Sequence, residues 1–123
     1  MDFDVAVIGG GSAGYASAST AQALGARVAI IDPGPLGGLC ILRGCMPTKT
    51  ILRSSDIMAL MRRAEEFGLQ PVDPHARLSA INDRKNKLIQ EFTDYRIQQL
   101  QDSRFTLIQE RAEFISPHEI CIG

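Results

Sequence analysis

Two groups of residues in this chain have types and spacings that suit chemistry. The first is Gly9-Gly10-Gly11-Ser12-Ala13-Gly14, a GxGxxG pattern. Its first glycine suits a tight turn, its second leaves room for a pyrophosphate to reach the backbone, and its last lets a helix lie close on a strand. The N–H groups that open such a helix face the anion. Asp32 follows eighteen residues after Gly14, where a carboxylate can accept hydrogen bonds from ribose hydroxyls.

The second group is Cys40-Ile41-Leu42-Arg43-Gly44-Cys45-Met46-Pro47-Thr48-Lys49, two cysteines across a loop that opens a helix. A small loop brings two Cβ atoms close enough for a labile disulfide. Cys45, at the helix start, would have its thiolate favoured by the first-turn amides and the macrodipole, with Arg43 and Lys49 adding positive charge. The thiolate is the attacking form in disulfide exchange. The same spacing also suits half of a zinc site or two unrelated thiols. For zinc the remaining Cys and His residues are Cys121, His75 and His118, at irregular intervals, so no metal site is expected.

The elements that position these residues follow from periodicity. Phe3 to Ile8 is a short apolar run ended by glycines, a buried strand of a parallel sheet. Ser12 to Leu24 is a helix of small residues stopped at Gly25, with Ala13, Ala16 and Ala21 allowing close approach to the strands. Val28 to Asp32 repeats the buried-strand pattern, completing a βαβ unit. The prolines and glycines of Asp32 to Gly38 make a loop. A helix with Pro47 in its first turn runs from after Gly44 to a stop at Gly68, and Gln70 to His75 is a connector. A second long helix covers about Ala76 to Gln101, with Leu78, Ile81, Leu88, Phe92 and Tyr95 on one stripe. Phe105 to Phe114 and Glu119 to Ile122 read as strands joined by a turn at Ser116-Pro117. In this pattern His118 is a solvated turn position, His75 a loop residue and Cys121 a buried core thiol.

Composition narrows the class. The chain has 123 residues, 45% of them hydrophobic, with 13 Lys and Arg against 14 Asp and Glu and a net charge of −1. That is enough for one domain, and the balanced charge supplies no field for nucleic acid. No apolar run reaches the roughly 20 residues of a membrane span, and Asp2 and Asp4 sit where a signal peptide needs positive charge. A soluble cytoplasmic protein is expected, with no membrane partner. Three cysteines are too few for a disulfide scaffold, so a Cys pair points to redox or metal chemistry.

The two groups in this order resemble the N-terminal part of the FAD-dependent pyridine nucleotide-disulfide oxidoreductases, the group of dihydrolipoamide dehydrogenase, glutathione reductase and mercuric reductase. The resemblance rests on Asp4 through Gly14, on Asp32, and on Gly37-Gly38-Leu39-Cys40 through Lys49, with Ala112-Glu113-Phe114 similar to the strand beside the FAD adenine. It implies an α/β, Rossmann-like FAD-binding domain with a parallel sheet in three layers, of which residues 1–123 are the N-terminal part. It also implies that Gly9, Gly11, Ser12, Ala13 and Gly14 hold the pyrophosphate, that Asp32 takes the ribose, and that Ala112 meets the adenine through its backbone. Cys45 would be the charge-transfer thiol against the flavin, Cys40 the interchange thiol, and Lys49 a neighbour of flavin N5. The implied cofactor is FAD, with NADH or NADPH as co-substrate, a small-molecule or protein disulfide or dithiol as substrate, and a homodimer as the full-length assembly. Leu39 stands where the family usually has Thr, Ile41-Leu42-Arg43 replaces an Asn-containing stretch, and Glu110 stands where glycine is usual.

No second GxGxxG occurs, and His118-Glu119 cannot supply the family's His and Glu base, because neighbours on a strand point to opposite faces. The chain therefore reads as carrying half of an active site, with the NAD(P)-binding and dimerisation domains absent and apolar surface exposed that favours association. Two other readings use only part of the pattern: a flavin monooxygenase or oxidase leaves the cysteines idle, and a redox-sensing or zinc-binding module leaves the glycines idle.

Overall fold

The computed structural model describes residues 3–117 and 119–123, so the reading of His118 lies outside the described residues. The chain starts with a βαβ unit: β1 (Val5–Ile8), α1 (Ser12–Ala23) and β2 (Val28–Ile31). The two strands are parallel, with Val5 opposite Val28 and Ile8 opposite Ile31. Helix α1 stops where expected, as Gly25 adopts a φ of +91°. Strand β1, expected to be buried, instead alternates half-buried and exposed residues, because it has a neighbour on one side only. Strand β2 lies between β1 and β3 (Thr106–Ile108), and all four of its residues are buried.

Alternation along the strands divides the side chains between two faces. Val5, Val7, Val28, Ile30 and Leu107 meet Tyr15 and Ala18 of α1, together with Leu36, Ile97, Leu100 and Phe105, in the main apolar core. On the other face Ala6, Ala29, Ile31 and Ile108 line an apolar cavity of about 520 Å³ with Phe3, Ile120 and Ile122. Those last two isoleucines belong to a hairpin of β4 (Ala112–Ser116) and β5 (Glu119–Ile122), antiparallel and separate from the parallel sheet. Helices, parallel sheet and hairpin thus make three layers.

The stretch Phe105 to Phe114 is not one strand. It breaks after Ile108, where the exposed Gln109, Glu110 and Arg111 interrupt the apolar alternation and carry the chain from one sheet to the other. Cys121 is exposed rather than buried. Its neighbours Ile120 and Ile122 face the parallel sheet, so the period of two sends Cys121 outward.

Between β2 and β3 run α2 (Gly38–Leu42), α3 (Cys45–Arg62), a 3₁₀ turn (Ala64–Phe67) and α4 (Leu78–Leu100). The helix expected to reach Gly68 ends as an α-helix at Arg62. It tightens into the 3₁₀ turn, where Arg63 pairs with Glu66 at 2.6 Å, before Gly68 turns left-handed at φ +72°. The connector through His75 lies outside helix and strand, as expected, and α4 starts at Leu78 rather than Ala76. The stripe on α4 is only partly covered. Ile81 and Leu88 are half-buried, whereas Leu78, Phe92 and Tyr95 are exposed, because among the described residues α3 and the short α2 cover only part of α4; Leu100, past the end of the stripe, is buried. Helix α3 buries no residue, and Ile51, Leu52, Ile57 and Leu60 are open, as the expectation of exposed apolar surface requires. Among the described residues no helix is long and apolar enough to cross a membrane.

Candidate functional site

The glycine turn sits between β1 and α1, and its shape depends on missing side chains. Gly9 has a φ of +99°, a region that favours glycine, and its N–H donates to the Ile31 carbonyl at 2.8 Å. A Cβ on Gly14 would collide with the Gly9 carbonyl, so only glycine lets α1 start this close to the strand. The Gly10 N–H donates to Asp32 Oδ2 at 2.6 Å, and the Gly34 N–H donates to Asp32 Oδ1 at 2.8 Å. Asp32 therefore braces the turn and its own loop with both oxygens, each of which keeps lone-pair capacity for a further donor.

This turn suits a diphosphate on three counts. Helix α1 has no side-chain cap and no acidic residue in its first turn, so its leading amides have no competing acceptor from those sources. Ser12 and Ala13 are exposed, which leaves those amides reachable. The space around Gly11 is open except toward Gly38, whose Cα lies 3.7 Å from where a Gly11 Cβ would be.

The sulfurs stand on two short-linked helices. Cys40 is on α2, not in a loop as expected, and Cys45 is the first residue of α3. Helix α2 exists because its first residue packs backbone to backbone on the glycine turn. A Cβ on Gly38 would lie 2.6 Å from the Gly11 Cα, and Gly38 itself has a φ of +78°. Gly44 then lets the chain double back, since a Cβ there would lie 3.0 Å from the Leu39 carbonyl oxygen and 3.3 Å from the Cys40 Cα.

The two thiols meet. The Cys40 thiol is pushed above its ordinary range first because its proton is held in a hydrogen bond to the Cys45 sulfur, and further by desolvation; the amides of Cys45 and Met46 pull the other way. The amides that open α3, expected to act on Cys45, thus reach Cys40. Cys40 is half-buried and Cys45 exposed, and both are free thiols. Lys49 lies one turn beyond Cys45 on α3 and is exposed. Ala112 is the first residue of β4, in the hairpin. Among the described residues no group of three or more His, Cys, Asp or Glu comes together to hold a metal.

A cavity of about 310 Å³ adjoins Cys40, lined by Ser12 from the glycine turn, Cys40 and Ile41 from α2, Met46 from α3, and Phe92, Tyr95 and Arg96 from α4. Arg96 was not visible as a site residue in the sequence. The available signal was a cation at the i+4 position between Phe92 and Leu100, on the face of α4 read as apolar.

Comparison with known proteins matches residues 3–121 to the pyridine nucleotide-disulphide oxidoreductase family. The chain is 35% identical over 115 residues to a mercuric reductase of Lysinibacillus sphaericus, covering 93% of this chain and 21% of that protein. It is 33% identical over 120 residues to a dihydrolipoyl dehydrogenase of Chlamydia muridarum, covering 98% and 26%. Among solved structures, the Cu(II) complex of the HOCl-induced flavoprotein disulfide reductase RclA from Escherichia coli superposes with a TM-score of 0.75 at 28% identity, over 97% of this chain and 24% of that one. The chain thus spans about a quarter or less of the length of these three relatives.

Proposed function

Because the chain belongs to the pyridine nucleotide-disulphide oxidoreductase family, we propose that it is the FAD-holding, sulfur-bearing part of an oxidoreductase. In this reading electrons pass between NADH or NADPH, FAD, the Cys40 and Cys45 pair, and a disulfide or dithiol substrate. Proteins of the family use FAD and NAD(P)H. The working protein is a cytoplasmic homodimer whose NAD(P)-binding and dimerisation domains lie outside residues 1–123.

One observation carries the proposal: Gly38 touches Gly11 backbone to backbone, so the turn suited to a diphosphate and the helix bearing Cys40 are one unit. The amides of Ser12 and Ala13 would take the pyrophosphate, with Gly9, Gly11 and Gly14 making room for it. Asp32 would accept ribose hydroxyls on the lone pairs its two amide bonds leave free. Lys49 and Ala112 would meet the flavin and adenine ends. When bound, FAD supplies the means of exchanging a hydride for an electron pair delivered to sulfur.

The chain's own chemistry is thiol exchange. Cys40, as thiolate, attacks one sulfur of the substrate; a Cys40–substrate S–S bond forms as the substrate's S–S bond breaks. Cys45 then attacks the Cys40 sulfur, closing the Cys40–Cys45 disulfide and releasing the second substrate sulfur. The protein dithiol is oxidised, the substrate disulfide is reduced, and the two protons end on the two product thiols. The reverse sequence oxidises a dithiol.

The test is spectroscopic. Flavin-loaded wild-type protein should show a long-wavelength band when two electrons reside on the Cys40–Cys45 pair, C40S should show it before any reduction, while its flavin is oxidised, and C45S should show none in either state. Failure to bind FAD, or a band that survives C45S, would overturn the reading.

A further inference from the structure

We propose that Arg96 is an anion-recognising residue of the exchange site, so that the preferred partner of Cys40 is a disulfide with a carboxylate near its S–S bond. This rests on the exchange role of Cys40 proposed above and adds a substrate class to it.

Arg96 lacks the partners a buried guanidinium needs. Its Nε and Nη1 are buried and have no hydrogen-bond partner, and among the described residues no carboxylate pairs with it. A guanidinium donor removed from water without an acceptor is costly, and it is relieved most by an anion that meets two N–H groups at once. The side chain is held in place for such a partner: its Cζ lies 4.7 Å from the centroid of the Tyr15 ring, which is fixed in turn by an edge contact with Phe105 at 6.1 Å.

The location supplies the rest. Arg96 and Cys40 line the same cavity, with Ile41, Met46 and Phe92 giving it apolar walls. Its volume of about 310 Å³ suits one arm of a small disulfide, with the carboxylate at Arg96 and a sulfur within the space that Cys40 borders. A second source of negative charge is the cofactor diphosphate, since Ser12 borders the cavity too. The experiment separates the two.

The full chain is prepared with Cys40 as its sole thiol (C45S, C121S), and exchange is followed by stopped-flow absorbance with two reagents at pH 8. One is 5,5′-dithiobis(2-nitrobenzoate), which carries two carboxylates; the other is 4,4′-dithiodipyridine, which is uncharged. R96Q should slow the first reagent about tenfold and change the second less than about twofold, consistent with loss of one charge-assisted pair. R96K should recover part of the loss, because it keeps the charge without the fork. R43Q should leave the ratio of the two rates unchanged.

An equal fall on both reagents, an R43Q effect as large as that of R96Q, or no change in the ratio would overturn the proposal. So would weaker FAD binding by R96Q with an unchanged ratio, which assigns Arg96 to the cofactor. Circular dichroism checks folding, and R96K reads the same ratio if R96Q does not fold. The assay needs neither flavin nor nicotinamide, so its failure is distinct from failure of the flavin reading, which the long-wavelength band reports.

Discussion

Strand β2 and helix α3 each contribute to one site and differ completely in burial. Val28, Ala29, Ile30 and Ile31 are each at most 2% exposed, whereas none of the 18 residues of α3 is buried. The glycine turn and Asp32 hang on the buried sheet; Cys45 and Lys49 ride on the open helix. Precision at the turn comes from a packed core, and the position of the sulfurs comes from a few backbone approaches at Gly38 and Gly44. The contrast implies unequal local stability: amides of β2 should exchange with deuterium only on global unfolding, and those of α3 should exchange through local opening.

Substitutions can break that contrast. The largest effect is expected from G14A, which puts a methyl group into the Gly9 carbonyl: a loss on the order of 3 kcal/mol, read as a fall in urea midpoint, together with loss of FAD binding. I30A, at a fully buried position, should cost about 3 kcal/mol, while L60A on α3 should stay within about 1 kcal/mol. An equal response at these two positions would show that α3 is covered by something in solution. D32N should cost about 2 kcal/mol and loosen the turn, because one carboxylate oxygen becomes an NH₂ facing an amide donor.

Two titrations sharpen the contrast further. Cys40 should ionise above the ordinary thiol range, as followed by ultraviolet absorbance of the thiolate, and C45A should bring it down by removing the acceptor of its proton. The smallest effect is at the edge of the sheet, where Arg27 donates to both oxygens of Asp4 and lowers that carboxyl to about 2. The folded pKa is depressed, so this clamp contributes fully above the ordinary carboxylate value of 3.8 and is lost as pH falls through about 2. NMR titration of the Asp4 carboxyl carbon reads it directly.

The glycine turn, α1, β2 and Asp32 were legible in sequence because each depends on its neighbours in the chain: a turn that excludes Cβ, a run of small helical residues, a β-branched strand. Helix α2 was not legible. Gly37-Gly38 has the propensity of a loop, and its helical state is set by a contact with Gly11, twenty-seven residues away. The outward direction of Cys121 depends on which face of the hairpin meets the sheet, a tertiary choice that alternation leaves open. Arg96 was concealed for a related reason: period counting assigns a face to the core by its apolar majority and passes over the single cation on it. Membership of the family was written in the order of two short motifs, and the cavity beside Cys40 only in how α4 folds back across them.

The contact between Gly11 and Gly38 has a consequence for anyone who wishes to rebuild this protein. With two main chains in touch and no side chain between them, there is no adjustable spacer: the cradle and the thiols move as one casting. Grafting either motif alone onto another scaffold should carry over its letters without its alignment, and a redesign has to transplant both segments of that junction, the turn and the start of α2, together.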